Sequence, residues 1–185
     1  MGLHFEEKIL RSIVAVAFNS TGKLFAFGMR DENLRNKKVS GAVGLRAWDG
    51  QEIKLLIHFK LGGFESAVGE PELDRVPLHL AFNNTDHWLA VQTDKTLELR
   101  DMSLSKNAEV NLPDSSVGAI VFNPSSSLLA VGHSQGMKVL HVPDLSVALD
   151  KKDAAVTAIA FSPDGCLLAW ADIDGVVHLT SSPSR

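Results

Sequence analysis

Short apolar runs recur along the chain, separated by clusters of Gly, Pro, Asn, Asp, Ser and Thr. Ile13-Val14-Ala15-Val16-Ala17-Phe18 is apolar throughout; Ser20-Thr21-Gly22 interrupts it, and Leu24-Phe25-Ala26-Phe27 resumes. Runs this short, broken by turn formers, predict β-hairpins and not helices. Because successive residues are apolar, both faces of each sheet are expected to be covered.

The same frame returns four times. Phe18, Phe82, Phe122 and Phe161 each follow a larger aliphatic two residues earlier: Val16, Leu80, Ile120 and Ile159. Directly before them stand Ala17, Ala81, Val121 and Ala160, and directly after them Asn19, Asn83, Asn123 and Ser162. Six positions on comes a large apolar residue, Leu24, Trp88, Leu128 or Leu167, and eight on an alanine, Ala26, Ala90, Ala130 or Ala169. Internal repetition on this scale means stacked units, each burying its faces against neighbours. The fixed alanines suggest close approach of a neighbouring sheet. A third strand follows in each copy, ending at Leu45-Arg46-Ala47-Trp48-Asp49 in the first and covering Val176–Leu179 in the fourth. A weaker fourth strand is expected in the first three copies only, at Ile53–Phe59, Ala108–Leu112 and Val147–Leu149.

Phe161-Ser162-Pro163-Asp164-Gly165, the apolar run with Ala169, and a strand ending Trp48-Asp49 together resemble the WD-repeat β-propeller family. The spacings of 40 residues from Phe82 to Phe122 and 39 from Phe122 to Phe161 lie near that family's period of roughly 40–45. Departures are plain. Only the first copy has the Trp-Asp pair; Arg100-Asp101, Leu140-His141 and Thr180-Ser181 stand in its place, and the family's Gly-His pair before the first strand is absent throughout. The family's buried His–Ser–Asp–Trp network is therefore not carried over. The resemblance implies an all-β fold of propeller blades, each of four antiparallel strands, in one domain over 1–185. The blades are expected at approximately 11–60, 76–112, 116–150 and 154–180, with 3–10 as a closing strand.

The fourth copy's missing strand leaves an edge that invites pairing. Leu3–Leu10 is positioned to supply it, as WD-repeat rings are known to close. Propellers hold ~4–8 blades, so three arrangements stand open: a closed ring of four, an eight-bladed homo-oligomer of two chains, or a fragment of a longer propeller.

Phe18 and Phe82 lie 64 residues apart, so the first copy carries two insertions. Met29–Ala42 holds Arg30, Arg35, Lys37 and Lys38; Lys60–Val76 holds Phe64, Glu65, Glu70, Glu72 and Asp74. Connections in an antiparallel meander alternate between ends, which puts both insertions at one end, one net basic and one net acidic. Solvated loops that tolerate insertion are the plainer reading of either alone. Two at one end point to a surface that receives a protein partner, with Phe64 as its apolar contact. The expected function is a protein–protein interaction scaffold. The alternatives are small-ligand binding or catalysis at the propeller axis, or service as part of a larger propeller protein.

Composition and chemistry narrow this further. A net charge of −4 gives no basic footprint for nucleic acid. No apolar run approaches the ~20 residues of a membrane span, and the opening Met1–Glu6 lacks the form of a secretory signal. The single cysteine, Cys166, gives no sign of an oxidising compartment. A cytoplasmic location is expected. Phosphate loops and His-Glu-x-x-His are absent from the sequence, so no enzyme, catalytic residue, metal site or cofactor is expected. His79, His141 and His178 read as packed or hydrogen-bonded strand residues. His133 and Ser134 are expected in a turn, Asp172 and Asp174 flank another, and Trp48, Trp88 and Trp170 read as core or blade-interface residues.

Overall fold

The computed structural model describes residues 12–33, 38–48, 53–61, 76–113 and 118–183. Among these residues there are strands and no helix, in four antiparallel meanders. The first sheet is β1 (Ser12–Phe18), β2 (Leu24–Asn33), β3 (Lys38–Trp48) and β4 (Ile53–Leu61); the second is β5 (His79–Phe82), β6 (Leu89–Gln92), β7 (Thr96–Arg100) and β8 (Lys106–Asn111). The third is β9 (Ile120–Phe122), β10 (Leu128–His133), β11 (Gly136–His141) and β12 (Val147–Lys152). The fourth has three strands, β13 (Val156–Phe161), β14 (Leu167–Asp172) and β15 (Val177–Ser181). The all-β, blade-like expectation holds, and the sheets do not close into a ring. Leu3–Leu10, the expected closing strand, lies outside the described residues.

Each first hairpin is tied by the residue after its phenylalanine. Asn19 Oδ1 accepts from Leu24 N at 2.9 Å, Asn83 Oδ1 from Trp88 N at 2.9 Å and Asn123 Oδ1 from Leu128 N at 2.9 Å. In the fourth sheet Ser162 Oγ accepts from Leu167 N at 2.9 Å. Side chains of this kind favour turns because they satisfy backbone donors locally.

Cross-strand partners share a face, so the registers sort every blade into two faces. One carries the alanines: Ala17 opposite Ala26 opposite Leu45, and Ala81 opposite Ala90 opposite Leu99. In the third and fourth sheets it reads Val121–Ala130–Val139 and Ala160–Ala169–Leu179. The other carries the phenylalanines: Phe18–Phe25, Phe82–Leu89, Phe122–Leu129 and Phe161–Leu168. The alanine face of each sheet packs on the phenylalanine face of the next, giving three buried clusters. Ala26, Val43 and Leu45 meet Leu80, Leu89 and Val91. Ala90, Leu97 and Leu99 meet Phe122, Leu129 and Val131. Ala130, Met137 and Val139 meet Val156, Leu168 and Trp170. Small residues on one side and bulky ones on the other let the sheets interdigitate closely.

Two expectations need correction. Met29–Ala42, read as a loop because it is rich in charge, is largely ladder: pairing continues from Met29–Ala42 to Asn33–Lys38, leaving 34–37 as the connection. His133, expected in a turn, ends β10 and is buried.

Candidate interaction surfaces

The β2–β3 and inter-blade connections emerge at one end of the propeller. In the second, third and fourth sheets the chain turns there at one repeat position, eleven residues after the phenylalanine, held by Thr93, His133 or Asp172. Thr93 Oγ1 accepts from Thr96 N at 3.0 Å, and His133 Nδ1 from Gln135 N at 3.2 Å. Asp172 Oδ1 accepts from Asp174 N at 3.0 Å and Val176 N at 2.9 Å. The first copy has Met29 at this position, which caps nothing. Its ladder runs four residue pairs further, Arg30–Gly41 to Asn33–Lys38, a projection of about 13 Å at the usual rise per strand residue.

Of the residues expected to receive a partner, Arg30 is exposed at the base of this projection and Lys38 is the first residue of β3. Arg35, Lys37, Phe64, Glu65, Glu70, Glu72 and Asp74 lie outside the described residues. A polar seam lies behind this end, between the second and third sheets. Gln92, fully buried on the alanine face of the second, donates from Nε2 to Gly132 O at 3.1 Å. Burial and the Lys138 charge push the His133 imidazole toward its neutral form. The histidine is a core residue that holds a turn. No group of three or more His, Cys, Asp or Glu suited to a metal ion occurs among the described residues.

At the opposite end the turns grip one another from blade to blade. The Asp86 carboxylate accepts from Ser20 N at 2.8 Å, Ser20 Oγ at 2.8 Å and Asn19 Nδ2 at 2.9 Å. Asn84 N donates to Ser126 Oγ at 3.0 Å and Asn84 Nδ2 to Pro124 O at 3.0 Å. This end is knitted together, whereas the hairpin end carries the extended β2–β3 ladder.

The remaining surface feature is apolar. On the phenylalanine face of the first sheet Val16 is 59% exposed and Phe18 63%; on the alanine face of the fourth, Val177 is 75% exposed and Leu179 67%.

Residues 146–181, which span β12 and the whole fourth sheet, match the family described as WD domain, G-beta repeat. The fold is that of a β-propeller. Two solved structures share it. Sqt1 from Chaetomium thermophilum is 17% identical with a TM-score of 0.70, over 92% of this chain and 43% of that one. The computationally designed Ika4 protein is 18% identical with a TM-score of 0.69, over 98% of this chain and 99% of that one. The chain thus spans less than half the length of Sqt1 and the full length of Ika4. No curated protein matches it in sequence.

The matched WD repeat has a polar arrangement of its own. His178 Nε2 lies 2.8 Å from Asp172 Oδ2, and the imidazole stacks on Trp170 with ring centroids 4.9 Å apart and 7° between planes. The His178 hydrogen bond, then the Val176 amide, hold the Asp172 carboxyl below its ordinary range. Trp170 is buried against the third sheet, so the group locks the fourth blade's turn to its core. Spacing alone could have found it: Asp172 stands where Thr93 and His133 stand, eleven residues after the repeated phenylalanine.

Proposed function

We propose that this chain is a protein-interaction scaffold whose partner docks at the end carrying the β2–β3 projection. WD-repeat propellers serve generally as interaction scaffolds, which supports the broad reading. The observation that carries the finer one is the ladder running four pairs beyond the level at which the other sheets turn. A hydrogen-bonded ribbon rooted in a packed blade presents side chains with little ordering cost on binding. It carries charge of both signs, Arg30, Asp31 and Glu32 on one strand and Lys38 on the other, so a partner of mixed charge should associate faster at low salt. Homo-oligomeric completion of the propeller is a separate reading, supported by the exposed apolar residues on the first and fourth sheets.

Replacing residues 31–40 with an Asn-Gly turn should leave the blade intact, since the Met29–Ala42 and Arg30–Gly41 pairs remain. Affinity capture with the intact chain and with this variant, matched for circular dichroism, tests the proposal. Partners recovered by the intact chain should be lost from the variant. Recovery of the same partners at full strength would exclude the projection as the docking element.

A further inference from the structure

Three interfaces between neighbouring sheets are built from one pair of faces, and the chain ends with one unused example of each. The alanine-face position held by Leu45, Leu99 and Val139 is 2%, 0% and 0% exposed in the first three sheets; in the fourth it is Leu179, at 67%. The neighbouring position, Val43, Leu97 and Met137, is fully buried in each; in the fourth sheet it is Val177, at 75%. On the phenylalanine face β1 behaves the same way in reverse, whereas Phe27, Met29 and Ala42 on that face of the first sheet form a small buried cluster of their own. Leu80, at Val16's place in the second sheet, is 9% exposed, and Phe122, at Phe18's place in the third, is 7% exposed. Residue type has not changed along these positions; what differs is that no described sheet packs over them.

The two open faces are therefore the two halves of an interface that the molecule already makes three times. Leu45 and Leu80 share a buried cluster across the first interface. Leu99 meets Ile120 across the second, and Val139 meets Ile159 across the third. By the same register Leu179 is the counterpart of Val16. Among the described residues no buried cluster joins the first and fourth sheets, and these positions stay exposed. The four blades also follow the arrangement of a stretch that is 43% of Sqt1, so they take the course of part of a longer propeller, and two copies approach its length.

We propose that two copies of this chain close into one ring of eight blades, the alanine face of each fourth sheet packing on the phenylalanine face of the other copy's first sheet. The occupant is a second copy because this chain itself carries both complementary halves. In a two-fold pair each copy gives both, so the contact forms twice and no face remains open to extend a fibre. Eight blades fall within the ~4–8 that propellers adopt. Apolar patches of this kind on a single molecule mark association sites. The contact is separate from the β2–β3 projection, so either proposal can fail without the other.

Sedimentation equilibrium on the full chain at micromolar concentration should give twice the 20.0 kDa chain mass. Single-chain mass overturns the proposal and leaves the faces to a different partner; open-ended polymers overturn the closed ring. Val16→Glu and Leu179→Lys both alter exposed residues, so each variant should keep the wild-type circular dichroism and fall to single-chain mass. Mixed in equal amounts, the two should recover the double mass. The mixed pair retains one unaltered interface and sets glutamate against lysine in the other. If either variant alone keeps the double mass, or the mixture stays at single-chain mass, the pairing of these faces is wrong.

Discussion

The second and third sheets and the first and fourth are built from the same repeated positions, yet they differ in what those positions touch. Ala90 and Ala130 are fully buried between sheets, whereas their equivalent in the fourth sheet, Ala169, is only half-buried. Phe122 is 7% exposed and Phe18 63%. A repeat residue specifies a face; the neighbour decides whether that face becomes core. Stability in such an array is close to a sum over repeats and nearest-neighbour interfaces, so an interior blade is held from both sides and a terminal blade from one.

The largest expected effect lies in the interior. Phe122→Ala should cost about 3–5 kcal/mol, the usual range for truncating a buried phenylalanine, while Phe18→Ala should cost little. Denaturant melts on a Leu179→Lys background, which keeps copies apart, make the comparison within a single chain. A large loss at Phe18 would mean that the first sheet's outer face is covered in the isolated chain.

A smaller contrast is expected in the turns. Asn123 is buried and accepts from both Ser127 N and Leu128 N at 2.9 Å. Asn123→Ala should cost roughly 1–3 kcal/mol, the range for stranding buried donors. Ser162→Ala, at the same position in the half-exposed turn of the fourth sheet, should cost less, because water reaches the freed amide. Thermal melts of the two variants check this, and equal losses would show that the terminal turn is as closed as the interior one.

The smallest effect is electrostatic and confined to the fourth blade. The Asp172 carboxyl is held below its ordinary value of 3.8 by His178 and the turn amides. A lowered folded-state pKa contributes stability that is present above the unfolded value and lost as pH falls through the folded one. Protection of the amides in β14 and β15 should therefore fall on acidification below about pH 4 before protection in β6 and β7, where the hydroxyl of Thr93, which does not titrate, holds the same turn. Asp172→Asn should remove the difference. An unchanged acid response in that variant would place the weak point elsewhere.

The blades were legible because turn chemistry and apolar runs coincide: Asn19, Asn83, Asn123 and Ser162 each follow the repeated phenylalanine and each tie the hairpin there. The open faces were not legible, because Ala17-Phe18 and Ala81-Phe82 are the same pair in different surroundings. The β2–β3 projection was missed for a physical reason as well. The charged residues Arg30, Asp31, Glu32 and Lys38 read as loop although their backbones pair. The turn-holding row of Thr93, His133 and Asp172 escaped notice because it conserves a role and not a residue type. Of the expected partner-binding residues, the structure places only Arg30 and Lys38, both on that projection.

On the alanine face Leu45, Leu99 and Val139 are buried inside the array, and the equivalent Leu179 is open at its end. Leu99 and Leu179 are equivalent, 0% and 67% exposed. The direct measurement is urea unfolding of Leu99→Ala and Leu179→Ala, each on the Val16→Glu background that keeps the chain single. Leu99→Ala should lower the unfolding free energy by about 2–5 kcal/mol, and Leu179→Ala should leave it within about 0.5 kcal/mol, as for an ordinary surface change. Equal losses at the two positions would contradict the account, since the end face would then be packed as the interior is.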